Sequence, residues 1–308
     1  MNTQSRAVAL PTIQRLSLVI TAMTFIVSCS SIQRYGDSHS ATVSDTATDP
    51  NHPARGAAFT IISSGAKMNA QFYLASGATN HPTMLLLHGT PGNEQNLDLA
   101  QAVRRAGWNV LTVHYRGSWG SEGDYSISNA LSDTNAAMDF LIDPKNTDKY
   151  KIDVKTLVVA GHSTGGFNAA VYAAGHPQIA GVVLLDAWNA GPPKEPYSAS
   201  ARSAFIARVT QGSTSLVIRA SEAYVDDYIA QAPLTKLATN LSALPVLIVG
   251  ADKANGSDNQ ALAAAIGKID GTRLQMAILP TDHPFSDRRI ELTNILLKWL
   301  DRISGLSN

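Results

Sequence analysis

From residue 57 onward, short apolar runs alternate with stretches whose apolar positions recur at helical spacing. The runs are Ala58–Ile62, Gln71–Leu74, Thr83–Leu87, Asn109–His114, Thr156–Ala160, Gly181–Leu185, Val246–Val249 and Leu274–Leu279. Those from Thr83 on are nearly continuous in apolar character, as strands covered on both faces must be. Between them the pattern predicts helices over Glu94–Arg105, Ser128–Leu141, Gly165–Ala174, Asn259–Ile269 and Asp287–Ile303. Two less apolar strands followed by alternating β and α segments predict an α/β fold, a mostly parallel sheet flanked by helices.

The rhythm breaks between about residues 191 and 241, where Pro192, Pro193 and Pro196 precede weak helical signals at Ala199–Val209 and Ser221–Ala232. An insertion of that size after a strand is rarely a plain connection. It reads as a small helical cap over the C-terminal edge of the sheet, where open α/β sheets bind ligands.

Composition narrows the classes. Hydrophobic residues make up 44% of the 308, enough for a full core, and 24 Lys plus Arg balance 24 Asp plus Glu. With no basic cluster, nucleic acid is excluded as a partner. The chain has one cysteine, Cys29, so no internal disulfide is available.

That cysteine closes an N-terminal address. Arg6 and Arg15 precede the short apolar stretch Leu16–Val27, and Ser28-Cys29 follow. A basic segment, a short apolar core and a small residue describe an export signal, too short for an ordinary membrane span of ~20 apolar residues. Ile26-Val27-Ser28-Cys29 resembles a bacterial lipobox, which implies cleavage before Cys29, lipid attachment to its sulfur and a place in the cell envelope, on the periplasmic side of the outer membrane. The expected organisation is a signal peptide over 1–28, a flexible tether rich in Ser, Thr, Asp and Asn over 29–55, and one domain over 56–308.

The chemistry gathers at strand ends. Thr156–Ala160 runs into Gly161-His162-Ser163-Thr164-Gly165-Gly166 and then a helical pattern. Strand, G-x-S-x-G and helix in that order expose a serine hydroxyl on a sharp turn, so Ser163 is the expected nucleophile. His88-Gly89-Thr90-Pro91-Gly92 follows Thr83–Leu87. Backbone amides of Thr90 (or Gly89) and of Thr164 are the expected oxyanion donors. Pro91, lacking an N–H, is excluded. His283 follows the last strand and is the only histidine after position 176, which makes it the expected base.

Three carboxylates compete for the third place. Asp252, closest to the end of strand Val246–Val249, is the first choice; Asp258 further along the same loop and Asp186 at the end of Gly181–Leu185 remain open. His162 is expected to be structural, and Arg116 to form a structural ion pair. Trp119, Trp188, Tyr224 and Tyr228 are candidates for an acyl pocket. No metal-ligand spacing and no dinucleotide fingerprint is present, so no cofactor is implied.

The run His114-Tyr115-Arg116-Gly117-Ser118-Trp119-Gly120-Ser121-Glu122-Gly123, together with the HGTPG loop and GHSTGG elbow, resembles the α/β-hydrolase superfamily over about residues 57–303. Small esterases and the catalytic domains of prolyl-oligopeptidase-like peptidases are the nearest groups. The resemblance implies a serine hydrolase acting on a small ester, with a short peptide or aminoacyl amide as the alternative substrate. The remaining alternative is a lipid-anchored binding module that keeps the fold without the reaction. Nothing in the sequence fixes the oligomeric state.

Overall fold

In the computed structural model, the described residues are 42, 44–46, 49–191, 197–210, 214–219 and 221–305. The expected signal peptide, Cys29 and most of the tether lie outside them. Among the described residues no helix is long and apolar enough to cross a membrane.

The first two strands, β1 (Arg55–Ser63) and β2 (Ala66–Leu74), form an antiparallel hairpin. Its two-residue turn, Ser64-Gly65, has both φ angles positive, the geometry that matches strand twist across so short a connection. Both strands alternate between exposed and buried positions, since only one face meets the core. The following strands are β3 (His81–Leu87), β4 (Asn109–Val113), β5 (Ile152–His162), β6 (Gly181–Leu185), β7 (Val246–Ala251) and β8 (Leu274–Leu279). They complete one eight-stranded sheet of order β1-β2-β4-β3-β5-β6-β7-β8, in which every pairing from β4 to β8 is parallel.

Successive side chains of a strand point to opposite faces, so each central strand feeds two cores. Leu85, Leu87, Val159, Val182, Leu184 and Ile248 pack on one side; Met84, Leu86, Val158, Val183, Leu185 and Leu247 pack on the other. Helices α1 (Leu97–Arg105) and, at the C-terminus, α9 (Arg289–Ile303) cover the second side through Leu99, Val103, Leu292, Leu296 and Trp299. The first side is covered by α2 (Ile127–Ile142), α4 (Thr164–Gly175) and α8 (Gly256–Asp270). Each fully buried Leu, Ile or Val in these layers contributes roughly 1.5–3 kcal/mol.

Several limits differ from the expected elements, β2 among them, which begins at Ala66, five residues before the apolar run at Gln71. α1 starts at Leu97 rather than Glu94, because Asn96 adopts a left-handed conformation that cannot be helical. A short helix, α3 (Pro144–Tyr150), was not expected: its residues are polar, and it is set by the Asp143 cap and Pro144 at its first position. β5 begins at Ile152, four residues before the apolar run at Thr156.

The insertion folds as expected into two helices, α5 (Ala199–Thr210) and α6 (Ser221–Ala230), followed by a 3₁₀ turn at Leu234–Leu237 and a short helix, α7 (Ala238–Leu241). Backbone hydrogen bonds tie the α5–α6 connection to the loop after β4: Trp119 N–H to the Ser215 carbonyl, Val217 N–H to Gly117, and Tyr125 N–H to Val217.

Candidate active site

Ser163 sits between the end of β5 and the start of α4, with φ 58° and ψ −123°. An L-residue holds that conformation only where the surroundings impose it. They do so here through backbone bonds: Ser163 N–H donates to Leu185, and its carbonyl accepts from Phe167 and Trp188. The flanking glycines permit the turn sterically. A Cβ on Gly161 would lie 2.1 Å from the Gly165 carbonyl oxygen, and one on Gly165 would lie 2.4 Å from the Leu87 oxygen. The elbow packs directly on the end of β3.

His283, in the loop between β8 and α9, turns its Nδ1 to Asp186 Oδ2 in a short hydrogen bond. Asp186 follows β6, has φ 42° and is completely buried. Its Oδ1 accepts from Ala251 N–H at 2.8 Å, and its Oδ2 also accepts from Asn255 N–H at 3.3 Å. The Asn255 side chain donates to the Asp186 carbonyl at 2.9 Å, fixing the residue from its own backbone. A carboxylate so surrounded by donors holds the Nδ1–H tautomer, leaving Nε2 as the basic nitrogen.

The first-choice acid, Asp252, is therefore corrected. It is exposed, and its carboxylate accepts from Thr281 N–H at 3.0 Å instead of meeting the histidine. Asp258 is exposed in the first turn of α8, where its charge complements the helix dipole. The physical reason lies in strand order. β6 pairs with β5, the strand that carries Ser163, whereas Asp252 follows β7, one strand farther out.

His162 is structural. It is buried, donates from Nε2 to the His283 carbonyl at 2.9 Å, and lies with its ring centroid 4.5 Å from that of His283. Burial pulls its pKa down to about 4, so it stays neutral beside His283.

The HGTPG loop is held from several sides. His88, also buried and also lowered to about 4 by burial, hydrogen-bonds the Gly89 carbonyl through Nδ1 at 2.7 Å. Trp119 Nε1 donates to the Pro91 carbonyl at 2.9 Å, a loop brace rather than a pocket wall. A Cβ on Gly89 would lie 2.7 Å from Ser163 Cβ, so the loop passes against the serine with no room to spare. Thr90 and Thr164 meet through their hydroxyls at 2.8 Å. Tyr125 hydrogen-bonds Thr90 as well; burial raises its phenol to about 12, so it stays protonated. Nothing in its sequence surroundings distinguished Tyr125. Arg116 is bound to Asp133 at 2.6 Å in a nearly buried pair and takes no part in the site.

Among the described residues two cavities open on Ser163, sharing Thr90, Ser163 and His283. One, of about 210 Å³, is bounded by the HGTPG loop, Glu94 and Pro284. The other, of about 240 Å³, lies under the cap and is lined by Trp188, Arg208, Val209 and Tyr228. Of the four aromatic candidates, Trp188 and Tyr228 line this cavity, their rings 4.3 Å apart; Tyr224 is buried behind, against Tyr125 and Phe205. Among the described residues no group of three or more His, Cys, Asp or Glu is placed to hold a metal.

Residues 82–297 match the family model described as the alpha/beta hydrolase fold. A lysophosphatidylserine lipase, ABHD12 of Danio rerio, is 32% identical over 100 residues, 32% of this chain and 24% of that protein. The alpha/beta hydrolase domain-containing protein WAV2 of Arabidopsis thaliana is 29% identical over 126 residues, 40% of this chain and 39% of its own. The matched regions thus span well under half of either relative. Among solved structures, Est1E from Butyrivibrio proteoclasticus superposes with a TM-score of 0.58 at 16% identity, covering 80% of this chain and 99% of its own. A bacterial membrane phospholipase A superposes at 0.57 with 18% identity, covering 81% and 87%.

Proposed function

This chain belongs to the alpha/beta-hydrolase fold family, and on that premise we propose that it is a serine hydrolase of carboxylic esters working through Ser163, His283 and Asp186. The observation that carries the reading is the strained serine opening on the same two cavities as a histidine whose other nitrogen is bound to a buried carboxylate.

In the reaction His283 Nε2 takes the Ser163 proton as Oγ attacks the ester carbonyl. Amides of Thr90 and Thr164 receive the oxyanion, each donor contributing ~10²–10³ in rate. Tyr125 supports both threonines through their shared hydroxyl contacts. The imidazolium then protonates the departing alkoxide, leaving an acyl-Ser163. Water, deprotonated by His283, attacks that acyl group and releases the acid, and the serine recovers its proton. The lipase name of one relative and the esterase neighbours favour an ester over an amide.

The reading is tested by treating the purified full chain with a fluorophosphonate probe and mapping the adduct by mass spectrometry. The adduct is expected on Ser163; a folded protein that stays unlabelled refutes it. Release of nitrophenolate from short acyl esters, with little release of nitroaniline from aminoacyl anilides, is expected on the same sample.

We further propose that Cys29 carries the lipid anchor and holds the enzyme at the bacterial cell envelope. Several buried acyl chains, each CH₂ contributing ~0.8 kcal/mol, make such attachment effectively permanent. When the full chain is expressed in a Gram-negative host fed an alkyne fatty acid, it is expected to take up the label and sediment with membranes. Cys29→Ala is expected to do neither, and a wild-type chain that stays unlabelled ends the proposal.

A further inference from the structure

Resting on the serine-hydrolase reading, we infer that the substrate carries an anionic group, a carboxylate or phosphate, which Arg208 binds under the cap. Arg208 lies in the last turn of α5 and lines the cavity that also opens on Ser163 and His283. Its guanidinium carbon stands 5.2 Å from the centroid of the Phe205 ring, a cation–π contact that braces the side chain from its own helix.

The other described arginines of the insertion are occupied. Arg202 binds Glu222 and, at 2.6 Å, Asp226, while Arg219 binds Asp124 at 3.0 Å. Among the described residues Arg208 forms no ion pair, and the residues lining its cavity include no acid. Besides the aromatic walls Trp188 and Tyr228 and the polar Asn255, the guanidinium is the one Arg or Lys charge among the described residues that line this cavity.

The cavity across Ser163 has the opposite character, since Glu94 lines it. An ester bound at Ser163 has two halves, one on each side of the reacting carbonyl. A negative charge on one half is repelled by Glu94 and attracted by Arg208, so charge fixes which half goes where. A planar guanidinium suits both carboxylate and phosphate, donating two N–H bonds to either in a forked geometry.

The experiment compares matched pairs on the full chain. One pair places a carboxylate on the acyl side: mono-4-nitrophenyl glutarate against its methyl ester, read by nitrophenolate. The other places a phosphate on the alcohol side: butyrylglycerol 3-phosphate against monobutyrin, read by butyrate release. Wild type is expected to favour the anion in kcat/KM by about tenfold in one of the pairs, the scale of one charge-assisted hydrogen bond in partial solvent. Which pair responds tells the acyl side from the alcohol side. Arg208→Gln is expected to bring that ratio near one through KM, Arg208→Lys to keep part of it, and Arg208→Glu to invert it. Because each ratio is taken on a single variant, a general loss of activity cancels.

If Arg208→Gln leaves both ratios unchanged within twofold, or wild type prefers the anion in neither pair, the inference is overturned while the hydrolase reading stands. A folded wild type that neither labels at Ser163 nor turns over any of the four esters overturns both together.

Discussion

Replacing Asp186 by Asn is expected to lower kcat by about 10⁴, while Asp252→Asn leaves it within about twofold. At position 186 the loss is one of orientation. The amide NH₂ of Asn would face His283 Nδ1–H, donor against donor, so the ring must turn or adopt the tautomer that hides its basic nitrogen. The amide oxygen can still accept from the buried Ala251 N–H, so only the longer bond from Asn255 is lost and the variant stays folded; Ala at this position would leave both amides without an acceptor. Asp252 is exposed and has one amide partner, Thr281, which an Asn oxygen can satisfy equally well. The paired measurement is kcat for a nitrophenyl ester, with circular dichroism as the check on folding. Full activity in Asp186→Asn, or a large loss in Asp252→Asn, would reverse the assignment.

This pair of aspartates also marks where reading the chain ends. Both follow directly on apolar strands and stand at the start of a loop, a placement that does not separate them. What does is the lateral order of the sheet. β6 lies beside the nucleophile strand and β7 beyond it, a separation of about 4.8 Å per strand that decides whether a carboxylate reaches the imidazole. Chain order alone places both aspartates between serine and histidine.

The elbow, by contrast, was legible because its requirements are local: two glycines at fixed offsets from a serine, an apolar strand before and a helix after. The cap helices were legible too, their observed limits at Ala199–Thr210 and Ser221–Ala230 falling close to the weak apolar periodicity. Helix α3 escaped because its stability comes from a cap and a first-turn proline rather than from an apolar stripe. Tyr125 and Arg208 escaped for a different reason. Their importance lies in which cavity or hydroxyl they meet, and that depends on a long loop folding back over the sheet.

Ser163→Ala and Ser163→Gly are both expected to lose about 10⁶ in kcat and all fluorophosphonate labelling, yet to differ in stability, with the glycine variant the more stable. The catalytic loss follows from removing the attacking oxygen, and it is the same for both. The stability difference follows from the backbone. With φ 58° and ψ −123°, residue 163 sits where any Cβ is crowded by its own chain, at a cost on the order of 1–3 kcal/mol. Alanine keeps that Cβ and its strain. Glycine removes it, and pays roughly 0.5–1 kcal/mol for the greater freedom of its unfolded chain. The balance favours glycine by about 1 kcal/mol, or roughly 2–4 °C in Tm for a domain of this size. Thermal unfolding of the two inactive variants side by side reads this directly. A glycine variant that melts below the alanine variant would mean the elbow stores no strain, and retained turnover in either would remove Ser163 from the reaction. The strain is the cost of an exposed nucleophile: the same backbone turn that lifts Oγ clear of the sheet into both cavities is one that side chains resist. The glycines on either side and the HGTPG loop pressed against Ser163 hold it there.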